Sequence, residues 1–202
     1  MTACPPTAPR TRANVRIGGA CAFIGDSALG PRQLAQVPHM DYLVFDYLAE
    51  MTLASFARAR AADPAAGYAV EFLDALRDVL PLCAERGIKL IANGGGLNPR
   101  GCARAVAALQ AELGTALRVA FVEGDDCLAL MPALRQAGAR DFYSGAPMPP
   151  ALDSANAYLG AFPIARALAL GADIVITGRI VDSATTLGAL IHEYGWSPVD
   201  LD

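Results

Sequence analysis

Gly25-Asp26-Ser27 stands near the amino end of the chain, just after an apolar run. One class of serine esterases carries its nucleophile in such a motif. That chemistry needs a general base within hydrogen-bond reach of the hydroxyl, drawn in that class from a late Asp-x-x-His. Here the residue three before His192 is Ala189, and three before His39 it is Gln36. Both histidines read as structural or solvated. Asp-Ser-Ala also recurs at 153–155 and 182–184. Asp and Ser are good helix caps, so Ser27, Ser154 and Ser183 read as caps and a Ser27 hydrolase is a remote alternative. Asp26 is then the residue with chemistry to offer.

Other carboxylates are better placed for proton transfer. Asp46 and Glu50 lie one turn apart if the chain is helical there, which suits a general acid/base pair; otherwise Glu50 is a first-turn acid. Glu123 and Asp182 complete the candidate catalytic set. In "VEGDD", Asp125 and Asp126 could hold magnesium, which takes one or two carboxylates plus substrate oxygens. They would serve equally as acids at a helix start. No other cofactor is signalled.

"NGGGLNPRG" (93–101) invites a phosphate reading and fails it in two ways. Cys102 and Ala103 stand where a P-loop needs Lys and Ser/Thr, and Pro99 stands where a dinucleotide fingerprint needs its third glycine. What remains is Asn98 as an N-cap, Pro99 at the first helical position, and freed N–H groups suited to an anion. Asn93, Gly94, Gly95, Gly96 and Asn98 are therefore candidate ligand-binding residues, with a ligand-free tight turn as the alternative. Gly178 and Arg179 join them, Arg179 as the partner of an anionic group.

Stepping from residues to elements, a short grammar repeats: amphipathic helix, glycine, β-branched strand. Leu73, Leu76, Leu80 and Cys83 recur at helical spacing before Gly87; Val106, Leu109 and Leu113 do so before Gly114. The spacing predicts strands at 15–20, 42–46, 88–93, 118–122, about 141–143, and 173–177. Short, continuously apolar strands separated by helices mean a mostly parallel sheet covered on both faces. The fold class is α/β, a doubly wound sheet of about six strands; the alternative is an incomplete (β/α)8-like barrel, which typically needs about 250 residues. Ligands of such sheets bind beyond the carboxyl ends of the strands, where these candidates fall. Residues 144–160 break the rhythm as a long, proline-bearing loop.

The 202 residues suffice for one domain with a real core. Residues 1–13, rich in Pro, Thr and Arg, read as a disordered arm, and 14–202 as one α/β domain cut short at its carboxyl end. A net charge of −4 with scattered Lys and Arg offers no stripe for nucleic acid. No run is long enough for a membrane span, and the opening residues, which lack an apolar stretch, are not expected to be a secretory leader. Five widely spaced cysteines signal neither zinc nor a disulfide framework; free thiols in a reducing cytoplasm are expected.

Taken together, "VRIGGACAFIGDS", "DYLVFDYLAEMTL", "NGGGLNPRGCA", "VEGDD", "SANAYLGAFPIARAL" and "GADIVITGRIVDSATTLGALIHEYGW" resemble the N-terminal region of the acyclic terpene utilisation (AtuA) family. The resemblance spans roughly residues 15–202; Cys21-Ala22 departs from the family's usual small hydroxylic residue and Gly. It implies Asn156, in the "SANAYLG" stretch, as a further ligand-binding candidate, and catabolism of citronellol- or geraniol-type terpenoids through acyl-CoA esters. The expected function is a lyase- or hydratase-type step on a branched acyl-CoA or carboxylate. The alternative is a non-catalytic binding or assembly subunit of a pathway carboxylase. The partners expected are a small-molecule substrate, a CoA ester among the options, and a second copy or further domain.

Overall fold

Five short strands carry the core, in a computed structural model whose described residues are 14–199. The arm expected at 1–13 lies outside them. The strands are β1 (Ile17–Cys21), β2 (Tyr42–Phe45), β3 (Lys89–Ala92), β4 (Val119–Val122) and β5 (Ile174–Thr177). All pair in parallel, in the order β1-β2-β3-β5-β4. The sheet is open, with β1 and β4 at its edges, so the barrel alternative does not hold.

Alternation along the strands sets the layers. Leu43, Phe45, Leu90, Ala92, Ile174 and Ile176 face α1 (Leu29–Gln36), α3 (Val70–Arg86) and α4 (Pro99–Leu113). Tyr42, Val44, Ile91 and Val175 face α6 (Phe162–Ala169) and α7 (Ala184–Tyr194). Every residue of β2 and β5 is buried, which is why these segments read as unbroken apolar runs. Each such side chain contributes roughly 1.5–3 kcal/mol by leaving water. The helices α3 and α4 stop at Gly87 (φ 68°) and Gly114 (φ 67°), whose left-handed backbone closes the last turn.

The sixth strand expected at 141–143 is a turn instead. Asp141 Oδ1 accepts from the amides of Tyr143 (3.2 Å) and Ser144 (2.6 Å) and from the Ser144 hydroxyl (2.7 Å). This local network outcompetes strand pairing and leaves Phe142 and Tyr143 facing solvent. The β4–β5 connection holds only a 3-10 turn (Leu128–Leu130) and short α5 (Met131–Gln136) before α6. Residues 144–160 form no helix or strand, as expected.

The winding order fixes where the sheet's switch point lies. From β1 to β4 the chain advances across the sheet with α1, α3 and α4 on one face. From β4 it turns back to β5 with α6 on the other. Right-handed crossovers require that change of face when direction reverses. The neighbours β3 and β5 therefore send their outgoing helices, α4 and α7, to opposite faces. Doubly wound sheets bind ligands at such a switch point. Here it lies between Asn93 and Thr177. No helix among the described residues is long and apolar enough to cross a membrane.

Candidate functional site

At the β3 side of the switch point, Asn93 is fully buried. Its Oδ1 accepts from the Tyr47 amide (2.7 Å) and its Nδ2 donates to Asp46 Oδ1 (2.6 Å). Asp46 Oδ1 also accepts from the Leu48 amide (3.2 Å). Both bonds fall on one oxygen, so Oδ2 is left without a donor among the described residues. Asn93 thus orients the carboxylate that ends β2. Burial raises the neighbouring Cys21 thiol and Tyr47 phenol above their ordinary values, so both stay neutral.

Asp46 and Glu50 do not form a pair. The helix α2 (Glu50–Ala62) begins only at Glu50, after the extended Ala49 (φ −129°, ψ 169°). Glu50 turns to other partners instead: its Oε1 accepts from the Tyr158 hydroxyl (2.6 Å) and lies 3.7 Å from Arg179 Nη2. The Tyr158 hydroxyl, its own backbone amide and the Arg179 charge together hold the Glu50 carboxyl below its usual range.

Arg179, two residues past β5, is the buried charge of the switch point, with 4% of its side chain exposed. Its guanidinium lies 4.0 Å from the centre of the Tyr158 ring. Nη1 donates to Leu48 O (3.1 Å) and lies 3.3 Å from Asp182 Oδ1. Nε, buried, finds no acceptor among the described residues. The Arg179 side chain thus reaches from β5 past the end of β3 to the loop after β2.

Asp125, also buried, ties three segments together. Its Oδ2 accepts from the Arg179 amide (2.8 Å) and from Asn156 Nδ2 (2.8 Å), while its carbonyl accepts from the Ala157 amide (2.7 Å). Gly178 is needed here because a Cβ would stand 2.5 Å from the Asp125 carboxylate. Asn156 is in this way brought to the switch point, and Tyr158 follows it.

The glycine-rich loop is present but covered. Asn98 caps α4 as expected, Oδ1 accepting from the Gly101 amide (2.9 Å), with Pro99 at the first position. Residues 93–97 are buried. The helix α2 lies over them through Leu53 and Ala57, which pack with Leu48 and Leu97. Gly95 lets the start of α4 approach β5, since its Cβ would stand 2.6 Å from Thr177 O; at Gly96 a Cβ would stand 2.4 Å from the Phe56 ring. Gly94 packs against Tyr47. The glycines serve close packing under α2, and the cap takes one of the amides thought open to an anion.

The remaining candidates lie elsewhere. Asp26 accepts from the amides of Ala22 (2.9 Å) and Ser27 (2.7 Å) and lines a hollow of about 230 Å³ with Tyr47, Glu71, Asp74 and Asp78. Glu123 is clasped by Arg100 (2.8 and 3.3 Å) at the edge strand; there a larger hollow of about 720 Å³ runs along β4 and α6. Asp126 accepts from the Leu128 amide (2.9 Å) and pairs with Arg60 (3.4 Å); it stands ahead of the 3-10 turn's cap, Cys127, and not in a first helical turn as expected.

Among the described residues no group of three or more His, Cys, Asp or Glu could hold a metal. Asp125 and Asp126 face different partners and do not fit a magnesium pair, so no step is routed through one.

The caps and the hydrolase need correction. Ser27 Oγ accepts from the Leu29 amide (3.2 Å), but the α1 cap position is Ala28. Ser183 occupies the α7 cap position without a side-chain bond. Ser154 precedes no helix. His39 lies in the turn before β2 and His192 in the last turn of α7, both at the amino edge of the sheet. Ser27 lies beyond its carboxyl edge, so neither histidine can serve it.

Sequence reasoning missed Tyr158. Its signal was its position, two residues past Asn156 in a loop too long to be a plain connection.

The family model for "Acyclic terpene utilisation family protein AtuA" matches residues 15–202. No curated protein matches the chain, and no solved structure does.

Proposed function

The chain belongs to the acyclic terpene utilisation (AtuA) family, and from that premise we propose that it is an enzyme of acyclic terpenoid degradation acting on a branched acyl-CoA or carboxylate. The observation that carries this reading is the buried Arg179 at the switch point, with a guanidinium nitrogen lacking an acceptor. A buried cation with an unused donor suits an anionic or carbonyl oxygen of a ligand. Asp46, fixed by Asn93 with Oδ2 uncommitted, is the group to move a proton. Arg179 would hold the acyl end, and Asp125 would hold the backbone that carries Arg179. A proton-transfer or hydration step uses these parts.

The test is growth on citronellol, and turnover of branched acyl-CoA esters, in a host whose own copy is replaced by Asp46→Asn or Arg179→Met. Loss of both activities supports the enzyme. Undiminished growth and turnover with both variants would sink it.

A non-catalytic assembly subunit of a terpenoid-pathway carboxylase is a second reading. One observation favours it: Phe142 and Tyr143 are 92% and 94% exposed on the tightly bonded turn that Asp141 organises. Exposed aromatics on a rigid turn suit a partner's pocket. Co-purification of a carboxylase that is lost on Phe142→Ser/Tyr143→Ser, together with growth indifferent to Asp46→Asn, would favour this reading.

A further inference from the structure

We propose that the Nε–Nη2 edge of Arg179 receives a carboxylate of the substrate, and that Glu50 guards that place until the substrate displaces it. This deepens the reading above and rests on it. The guanidinium has two usable edges, and only one is committed. Nη1 is occupied by Leu48 O at 3.1 Å and by Asp182 at 3.3 Å. On the other edge Nη2 has only Glu50 Oε1, at 3.7 Å, beyond hydrogen-bonding distance. Nε, beside it, has no acceptor among the described residues. The Nε–H and one Nη2–H point the same way, the two-pronged fork that a planar carboxylate fills with both oxygens.

Glu50 is a poor filler of that fork. Its Oε1 accepts from the Tyr158 hydroxyl at 2.6 Å, and the same oxygen is the one nearest Arg179. Its side chain is 79% exposed against 4% for Arg179. Glu50 can therefore turn into water while the guanidinium stays. Tyr158, half-exposed and stacked on the guanidinium at 4.0 Å, is the cover that must shift with it.

Charge selects the ligand. A monocarboxylate replacing Glu50 conserves the local balance around Arg179, Asp182 and Asp125. A phosphate dianion would add a negative charge beside the Asp182 and Asp125 carboxylates. The group recognised is thus a carboxylate and not the phosphates of CoA.

Isothermal titration of 3-methylbutyrate, and separately of inorganic phosphate, into the wild-type chain, Glu50→Gln, Arg179→Lys and the double variant tests this. Removing a built-in competitor raises apparent affinity by the fraction of sites it had closed. Glu50→Gln should tighten 3-methylbutyrate about tenfold, with no equal gain for phosphate. The gain should vanish in the Arg179→Lys background, which keeps the charge and loses the fork. Unchanged affinity in Glu50→Gln, a gain that survives Arg179→Lys, or an equal gain for phosphate would overturn the inference. If carboxylate binding needs Arg179 but ignores Glu50, the displacement fails while the anchoring arginine stands. If binding ignores Arg179, the proposed site itself falls.

Discussion

Arg179 and Tyr158 are stacked, guanidinium over ring, at 4.0 Å. Twenty residues of chain separate them, including the whole of α6 and β5. They are brought together because Asp125 binds Asn156 on one side and the Arg179 amide on the other, and because Leu159 and Ile180 form a parallel bridge. The tyrosine loop thereby becomes the cover of the switch point.

Removing that cover should expose the arginine without unfolding the protein. A half-exposed cation–π contact is worth about 0.5–1 kcal/mol. Tyr158→Ala is expected to lower the melting temperature slightly and to raise the rate at which phenylglyoxal modifies Arg179, followed by peptide mass spectrometry. Equal rates in the two proteins would show that Tyr158 does not cover the site.

Asp125 should be structurally expensive to lose. Asp125→Ala strands the Arg179 amide and the Asn156 carboxamide, at about 1–3 kcal/mol for each group left unsatisfied. Gly178→Ala should also destabilise, because its Cβ would stand 2.5 Å from that carboxylate. Urea melts of the two single variants and the double variant form a cycle. The expected result is that Gly178→Ala costs less in the Asp125→Ala background. Strict additivity would contradict the contact.

Alanine should be costly at Gly95 and nearly neutral at Gly19. At Gly95 the added methyl meets backbone, Thr177 O at 2.6 Å and Pro99 Cα at 2.8 Å, whereas at Gly19 nothing lies within 4 Å. Gly95→Ala is expected to cost about 1–3 kcal/mol or more by overpacking, and Gly19→Ala to stay within about 0.5 kcal/mol. Chemical denaturation of both variants reads the difference. Similar values would refute the packing role given to the loop.

Stability should carry a signature of Asp173 at the amino edge. Burial pushes its carboxyl up, but the Arg118 amide (2.9 Å), the Lys89 ammonium (3.0 Å) and the Arg118 charge outweigh this and hold it below its ordinary 3.8. A folded pKa below the unfolded one adds stability above the unfolded value, and that stability is lost as pH falls through the folded pKa. Asp173→Asn is expected to cost about 1 kcal/mol at neutral pH, allowing for solvent screening. The gap from wild type should narrow once the pH is below 3.8. A gap that does not change with pH would remove the ion pairs from the account.

The parallel sheet was legible because buried strands are apolar on both faces, and "YLVF" and "IVIT" show it without ambiguity. "DFY" looked alike in composition, but Asp141 and Ser144 spend their polar atoms on a local turn, which strand patterning does not register. Asp46, Asn93, Arg179 and Asp125 all follow strands, and the fold brings them to one place. Following a strand could not by itself separate them from Asp26 and Glu123, which end β1 and β4 at the sheet's margins. Strand order decides that, and strand order depends on which face each helix packs against. Tyr158 was illegible for a related reason: its partners, Glu50 and Arg179, are set by long-range closure of a loop with no periodicity to read.

Arg179 at the switch point is the proposed ligand anchor. A crystal structure of the protein soaked with a branched-chain carboxylate tests it most directly. Both carboxylate oxygens should lie within hydrogen-bond distance of Arg179 Nε and Nη2, with Glu50 turned out to solvent. Ligand found instead in the hollow along β4 and α6, with Glu50 and Tyr158 undisturbed over Arg179, would contradict it.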